Sequence, residues 1–387
     1  MKSLRVIDQN FQQLGEITKY DSILITDRFH TIGEVQLIIN RYSPNADLLQ
    51  KGRMLRFDGQ NDKVFVIKQR EIQLDENGKG SENWSILALP LKAFLMQRIT
   101  YPPAHTAYDN KSGPAETVMK HYIDRNFINP DKPERVFPNL AIAPNKKRGT
   151  SIEWQSRFKN VAEELTEISI ASGLGFEIRI DIPNKLFVFD VVEGSNRTAG
   201  QSILPPVKFD PQFKTIATMS YSESEMNYRN QAIVAGPGEG INRIVEEVGT
   251  AQGRDRYEVF FDARDVSDEV ESGEEGGEST PRPVGEIRAE LANRGTVELT
   301  NLVQEEYLEA QLLSSSPLKY GRDYFLGDLV TVRNREWGVT LNTRITEIVE
   351  AHESNGYKVE ATFGNNKPTL IDKIKQQFKQ VSGELRK

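Results

Sequence analysis

Short apolar runs at 22–26, 34–40, 54–58, 63–74 and 84–90 crowd the first hundred residues. Turn-forming pairs separate them: Asp58-Gly59, Asn61-Asp62 and Asn77-Gly78. Residues 64–72 (Val-Phe-Val-Ile-Lys-Gln-Arg-Glu-Ile) alternate as a strand with one buried face does. Strands this short, this closely spaced, predict a small barrel or sandwich, since each must cover its apolar face with neighbours. The chain is 387 residues long, enough for two to three domains at about 150 residues each.

Beyond residue 100 the pattern changes. Tyr101-Pro102-Pro103 is a break, and a helix is predicted from Pro114 to about 126, with Ser112 near its start and Val118, Tyr122 and Ile123 on its apolar face. A stronger helix is predicted from a Ser151 cap, because Trp154, Phe158, Val161, Leu165 and Ile168 recur at helical spacing. Gly173 and Gly175 stop it, and 175–182 and 185–192 predict a hairpin across Pro183-Asn184. Strands return at 215–221, 230–235, 243–248 and 257–262. Residues 284–315 read as helical, with Gly295 as the point where the helix could divide, and strands resume at 329–333, 343–350 and 357–363.

The expected fold class is α+β, mainly β. A β-barrel domain is expected over 1–100, an α+β domain over 101–204, and a second β-barrel split between 205–264 and 321–366. An acidic loop and helical insertion would occupy 265–320, and a basic helix 367–387. In that last helix Leu370, Ile371, Ile374, Phe378 and Val381 form an apolar stripe for a partner or for the protein itself.

Charge is segregated. The chain has a net charge of −7, yet residues 1–250 hold 31 basic and 31 acidic residues, 251–310 hold 6 and 16, and 311–387 hold 12 and 9. One segment carries the whole imbalance, and nothing resembles the basic face a general nucleic-acid binder needs. The run Asp265, Asp268, Glu269, Glu271, Glu274, Glu275 and Glu278 reads as a solvated acidic surface. It lacks the spacing that wraps oxygens around calcium. No run of about 18 apolar residues occurs, so no membrane-spanning helix is expected, and the first residues have no secretory pattern.

No catalytic, cofactor or metal residue can be named. There is no cysteine, and the four histidines (His30, His105, His121, His352) lie far apart. His352-Glu353 lacks the second histidine of a zinc hydrolase and reads as an exposed turn. Gly236-Pro237-Gly238-Glu239-Gly240 is followed by Ile241-Asn242-Arg243 rather than Lys-Ser/Thr and a helix, so a hairpin connection is expected over a phosphate cradle. Glu163-Glu164 and Glu305-Glu306 are adjacent pairs pointing about 100° apart on a helix, which suits a solvated face rather than paired acid–base work. Lys146-Lys147-Arg148 reads as solvated surface.

The C-terminal third resembles a known family. Tyr324-Phe325-Leu326-Gly327-Asp328-Leu329-Val330-Thr331-Val332, Trp337-Gly338-Val339, Arg344-Ile345-Thr346-Glu347-Ile348 and Lys358-Val359-Glu360-Ala361-Thr362-Phe363-Gly364 are similar to the closing β-barrel of siphophage tail-tip hub proteins. The opening Tyr20-Asp21-Ser22-Ile23, Gly33-Glu34-Val35-Gln36-Leu37 and the strand Asn230-Gln231-Ala232-Ile233-Val234-Ala235-Gly236 fit the same family. Its longer members are tail-associated lysins (prophage endopeptidase tail proteins), and its fold is similar to the baseplate central hub of contractile-tailed phages. The resemblance implies a pseudo-hexameric homotrimer at the virion tail tip. Its partners would be a distal tail protein hexamer, a tail fibre or tip protein and the tape measure protein in a channel. DNA would pass without specific binding. It implies no enzymatic activity, since the lysin domain of longer members has no counterpart here. A cell-wall hydrolase and a receptor-binding tail protein are the alternatives. In a trimer the seven acids would give a negatively charged lumen surface.

Overall fold

The computed structural model describes residues 2–57, 60–74, 80–270, 280–300, 302–313, 315–353 and 356–364. They form two compact units: 1–101, 110–220 and 308–364 in the first, and 102–109 with 221–307 in the described part of the second. The fold is mainly β with few helices.

In the first unit the N-terminal strands are β1 (Leu4–Ile7), β2 (Gln13–Ile17), β3 (Ser22–Arg28), β4 (Glu34–Asn40), β5 (Met54–Phe57), β6 (Val64–Glu71) and β7 (Asn83–Pro90). They pair antiparallel in the order β3-β4-β7-β6-β5-β1-β2. Alternation sorts the side chains. Ile23, Ile25, Val35, Leu37, Ile39 and Ile67 are buried in one core, while Leu24 on the opposite face of β3 is exposed. Each such aliphatic side chain stabilises by about 1.5–3 kcal/mol on burial.

The mixed segment holds β8 (Asp109–Pro114), α1 (Ala115–Ile123), β9 (Leu140–Ile142), β10 (Ser151–Ser156), α2 (Val161–Ser172), β11 (Gly175–Asp181) and β12 (Leu186–Val192). β8 pairs with β10, β11 and β12 form the expected hairpin, and β9 adds to β12 in parallel. The helix expected from Ser151 starts later. Residues 151–156 are a strand with Trp154 and Ser156 turned inward, and Asn160 caps α2 by accepting from the Ala162 N–H at 3.0 Å. Trp154 and Phe158 share the helical spacing of Val161, Leu165 and Ile168 without belonging to the helix. Phe158 instead takes a left-handed backbone (φ +52°) in the turn before it.

After β13 (Lys208–Phe209) and β14 (Ile216–Ser224), the second unit contributes β15 (Gln231–Ala235), β16 (Val245–Val248), β17 (Glu258–Asp262), β18 (Glu269–Val270), β19 (Thr280–Pro281) and α3 (Val284–Thr300). β15 pairs antiparallel with β16 and parallel with β17. Ile287 and Leu291 of α3 are buried in one cluster with Ala232 and Val234 of β15. Gly295 does not divide α3. It lets the helix approach the sheet, because a Cβ there would stand 2.8 Å from Val234 Cγ2 and 2.9 Å from Val248 Cγ2.

The helix expected over 284–315 ends at Thr300, and β20 (Glu305–Leu312) is a strand. Leu308, Ala310 and Leu312 are buried and Glu309 is exposed, a period of two that outweighs the helix-forming residues around them. β21 (Leu329–Asn334), β22 (Val339–Glu353) and β23 (Gly356–Gly364) finish the fold. The first half of β22 pairs with β21, and its second half lies between β23 and β3.

That last pairing corrects the two-barrel expectation. β3 and β22 are in register from Arg28↔Glu347 to Ser22↔Glu353. The N- and C-terminal strands therefore share one sheet, in the order β14-β20-β23-β22-β3-β4-β7-β6-β5-β1-β2. Among the described residues this sheet does not close into a ring. An edge strand carries a row of unpaired backbone groups, and each β-region satisfies the other's edge. No helix among the described residues is long and apolar enough to cross a membrane.

Candidate functional site

The acidic segment lies in the second unit. Asp265 carries less of its charge to solvent than the sequence suggests. Its two carboxylate oxygens accept from Arg294 Nη1 and Nη2, both at 2.7 Å, and Oδ2 also accepts from the Tyr108 hydroxyl at 2.8 Å. Burial alone would raise its pKa, but Arg294 and Tyr108 outweigh that and hold it below the ordinary aspartate value. Asp268 and Glu269 are exposed. Arg282 pins their base: its backbone N–H donates to the Asp268 carbonyl at 2.8 Å, and its guanidinium donates to the Ser267 carbonyl at 2.8 Å and to Glu290 at 2.7 Å. Glu271, Glu274, Glu275 and Glu278 lie outside the described residues, as do Leu370, Ile371, Ile374, Phe378 and Val381. The pairing of Arg294 with Asp265 spans 29 positions, so sequence spacing offered no signal for it.

The glycine-rich loop is a hairpin connection, as expected, and it is built around a cation. Arg243 donates from Nε to the Gly236 carbonyl at 3.0 Å and from Nη2 to the Ala235 carbonyl at 2.8 Å, and it pairs with Asp262. Gly238 has φ +99°, and a Cβ there would meet the Asn242 carbonyl oxygen at 2.7 Å. A loop whose carbonyls face a guanidinium offers no cradle for phosphate.

Three groups expected at the surface are buried or half-buried in the first unit. His352 belongs to β22 rather than a turn. It is buried, with its ring 4.6 Å from that of Tyr357 and 6.1 Å from that of Phe57. β22 runs on to Glu353 because both of its sides are paired there. Next to His352, Glu350 forms a buried ion pair with Lys63 and accepts from the Tyr357 hydroxyl at 2.6 Å. Burial pushes the Glu350 pKa up, and Lys63 and Tyr357 more than reverse the push. Glu164 is also fully buried. It accepts from Trp154 Nε1 and lies 3.7 Å from Lys159, so only Glu163 of that pair faces solvent. Arg148 is the third. It donates to both oxygens of the buried Glu116, at 3.0 and 3.1 Å, and to Asp190 at 3.2 Å, while Lys146 and Lys147 stay exposed.

A serine–histidine contact invites a nucleophile reading. His30 Nδ1 lies 2.7 Å from Ser169 Oγ. The serine hydroxyl, however, donates to the Leu174 carbonyl, so Nδ1 carries the proton and donates to Oγ. Ser169 is fully buried, and burial first, then Arg344 and Lys92, lower the His30 pKa to about 4. The pair cross-links the N-terminal sheet to α2 and is not arranged to activate the hydroxyl. No group of His, Asp or Glu able to hold a metal ion occurs among the described residues.

A profile of the Siphovirus ReqiPepy6 Gp37-like protein family matches residues 3–365. The fold is similar to the 43 kDa tail protein of prophage MuSo2 from Shewanella oneidensis (TM-score 0.58, 11% identity, covering 94% of this chain and 98% of that one). It is also similar to a tail protein from Neisseria meningitidis MC58 (TM-score 0.53, 14% identity, 94% and 96% covered). No curated protein sequence matches the chain.

Proposed function

We propose, given that this chain belongs to the Siphovirus ReqiPepy6 Gp37-like protein family, that it is a structural protein of a phage tail: a trimeric hub at the tail tip. The observation that carries the reading is a fold shared along nearly the full length of a prophage tail protein, 94% of this chain against 98% of that one. The sheet that joins β3 to β22 supports it. It makes one continuous wall from two sequence-distant β-regions, and such a wall suits a ring subunit.

In this reading the function is assembly. The trimer would join a distal tail protein hexamer to a fibre or tip protein, surround the tape measure protein and gate the passage of DNA. Subunit interfaces of an obligate ring bury about 2,000 Å² or more. The acids Asp268, Glu269, Glu271, Glu274, Glu275 and Glu278, with Asp265 at their base, would line the channel and repel the DNA backbone. The C-terminal stripe Leu370, Ile371, Ile374, Phe378 and Val381 would dock on a tip or fibre protein. Electron microscopy of the assembled ring with the distal tail protein tests this. A threefold ring with residues 265–282 facing the channel is the expected result, and that segment on the outer wall would remove the lumen role.

A further inference from the structure

The second unit is joined to the first by chain crossings, and two of these run side by side. β14 passes from the first unit into the second after Ser220, and β20 passes back after Tyr307. The two strands are neighbours in the sheet. A two-stranded ribbon twists and bends more easily than a wide sheet. β14 and β20 are therefore the place where residues 221–307 can swing.

A further tether lies far from both in sequence. The chain leaves the first unit at Tyr101, and residues 102–109 belong to the second unit before the chain returns at Asn110. The return is immediate, because β8 starts at Asp109 and pairs with β10. Pro102 is buried, and a turn closes behind it: Thr106 donates to the Pro103 carbonyl from its backbone N–H at 3.2 Å and from Oγ1 at 2.8 Å. His105 takes a left-handed backbone (φ +64°) at the exposed tip 104–106. Just before Asp109, the Tyr108 hydroxyl lies 2.7 Å from the Asp265 carbonyl oxygen and 2.8 Å from its Oδ2. Its single proton can serve either acceptor. The post it grips is firm. Ala263 and Val266, flanking Asp265, are buried in one cluster with Ile287 and Leu291 of α3, and Arg294 of the same helix holds both carboxylate oxygens.

We propose that β14 and β20 form a hinge and that residues 102–109 are a releasable strap that limits its swing, with Tyr108 as the clasp. With the clasp closed, Asp109 alone separates the post from the first unit in sequence, so the link has no slack. With it open, residues 102–109 become a free tether that can extend to about 28 Å. Hinges of this kind are a few element-terminal residues, and a single contact decides between their two states. In the tail-tip reading the strap would hold the acidic segment that starts at Asp265 in place until the channel opens. That role rests on the hub reading; the hinge and the strap do not.

The purified full chain tests it. It has no cysteine, so Lys68→Cys in the first unit and Arg254→Cys in the second, both at exposed positions, take a donor and an acceptor dye. Tyr108→Phe keeps the ring and removes only the clasp. Single-molecule energy transfer should give one narrow population with Tyr108 present and a broadened or second population in Tyr108→Phe. Hydrogen exchange over 104–109 should rise about tenfold, as for loss of one hydrogen bond to a charged group, and stay unchanged in β4 and β7. Identical energy-transfer distributions would overturn the proposal, whether or not exchange in the strap rises. So would a broad distribution with Tyr108 present, or unchanged exchange over 104–109. Light scattering on the same samples reads assembly separately. A monomer with the expected distributions contradicts the hub reading and supports the strap, whereas a trimer with identical distributions contradicts the strap and supports the hub.

Discussion

Glu116 shows how much a single side chain can hold. It is fully buried at the start of α1, and it accepts from Lys120 at 2.7 Å, from Arg148 at 3.0 and 3.1 Å, and from the backbone N–H groups of Lys146 and Arg148 at 3.1 and 2.9 Å. Burial pushes its pKa up, but these donors win and hold it well below the ordinary carboxylate range. A carboxylate with a depressed folded pKa contributes stability that is present above its unfolded value and lost as pH falls toward the folded one. Glu116→Gln should therefore cost about 3 kcal/mol at pH 7, as for one partner of a buried pair. Urea unfolding should show the gap to wild type narrowing near pH 3. Glu177 behaves in the opposite sense. Burial raises its pKa to about 6, against the pull of Arg179, with Asp62, Asp190 and Asp27 adding to the rise. Its folded form binds a proton more tightly than the unfolded one, so it costs stability as pH rises through about 4.5 to 6 and the loss is complete above that window. Thermal melts should show Glu177→Gln stabilising the protein at pH 8 relative to wild type and matching it near pH 4. None of this was legible in the sequence, where Arg148 was one of three surface cations and Glu116 an ordinary helix residue. Lys120 stands only four positions from Glu116, but Lys146 and Arg148 lie 30 and 32 positions on and meet it only after folding.

At the scale of elements, the sequence was readable wherever local pattern and tertiary demand agree. The β11–β12 hairpin follows from alternation on both sides of Pro183-Asn184, and α1 from its proline-led start. The misreadings come from residues that satisfy two periods. Trp154 fits a helical stripe, but the β10 strand buries it, and a cap belongs to Asn160, not Ser151. This is testable. Asn160→Ala should cost about 1 kcal/mol through loss of the cap, whereas Ser151→Ala, at an exposed strand position, should stay within about 0.5 kcal/mol. Equal effects of the two in chemical denaturation would contradict the assignment. β20 is the converse case. Glu, Leu, Ala and Gln favour helix, yet the sheet selects the buried series Leu308, Ala310 and Leu312. Pairing of β3 with β22 spans more than 300 positions, and neither strand alone names its partner.

For the whole molecule, the family resemblance carried further than the outline of separate barrels. Residues 251–310 still hold the excess of negative charge, and the structure neutralises Asp265 through Arg294 while leaving Asp268 and Glu269 exposed. In the proposed assembly, copies of the chain would multiply this local patch. Solution mass tests that assembly most directly. Light scattering on the purified chain, alone and with the distal tail protein, should give three times the mass of the chain and a complex of one such trimer with the distal tail hexamer. A chain that remains monomeric in both cases would contradict the hub reading.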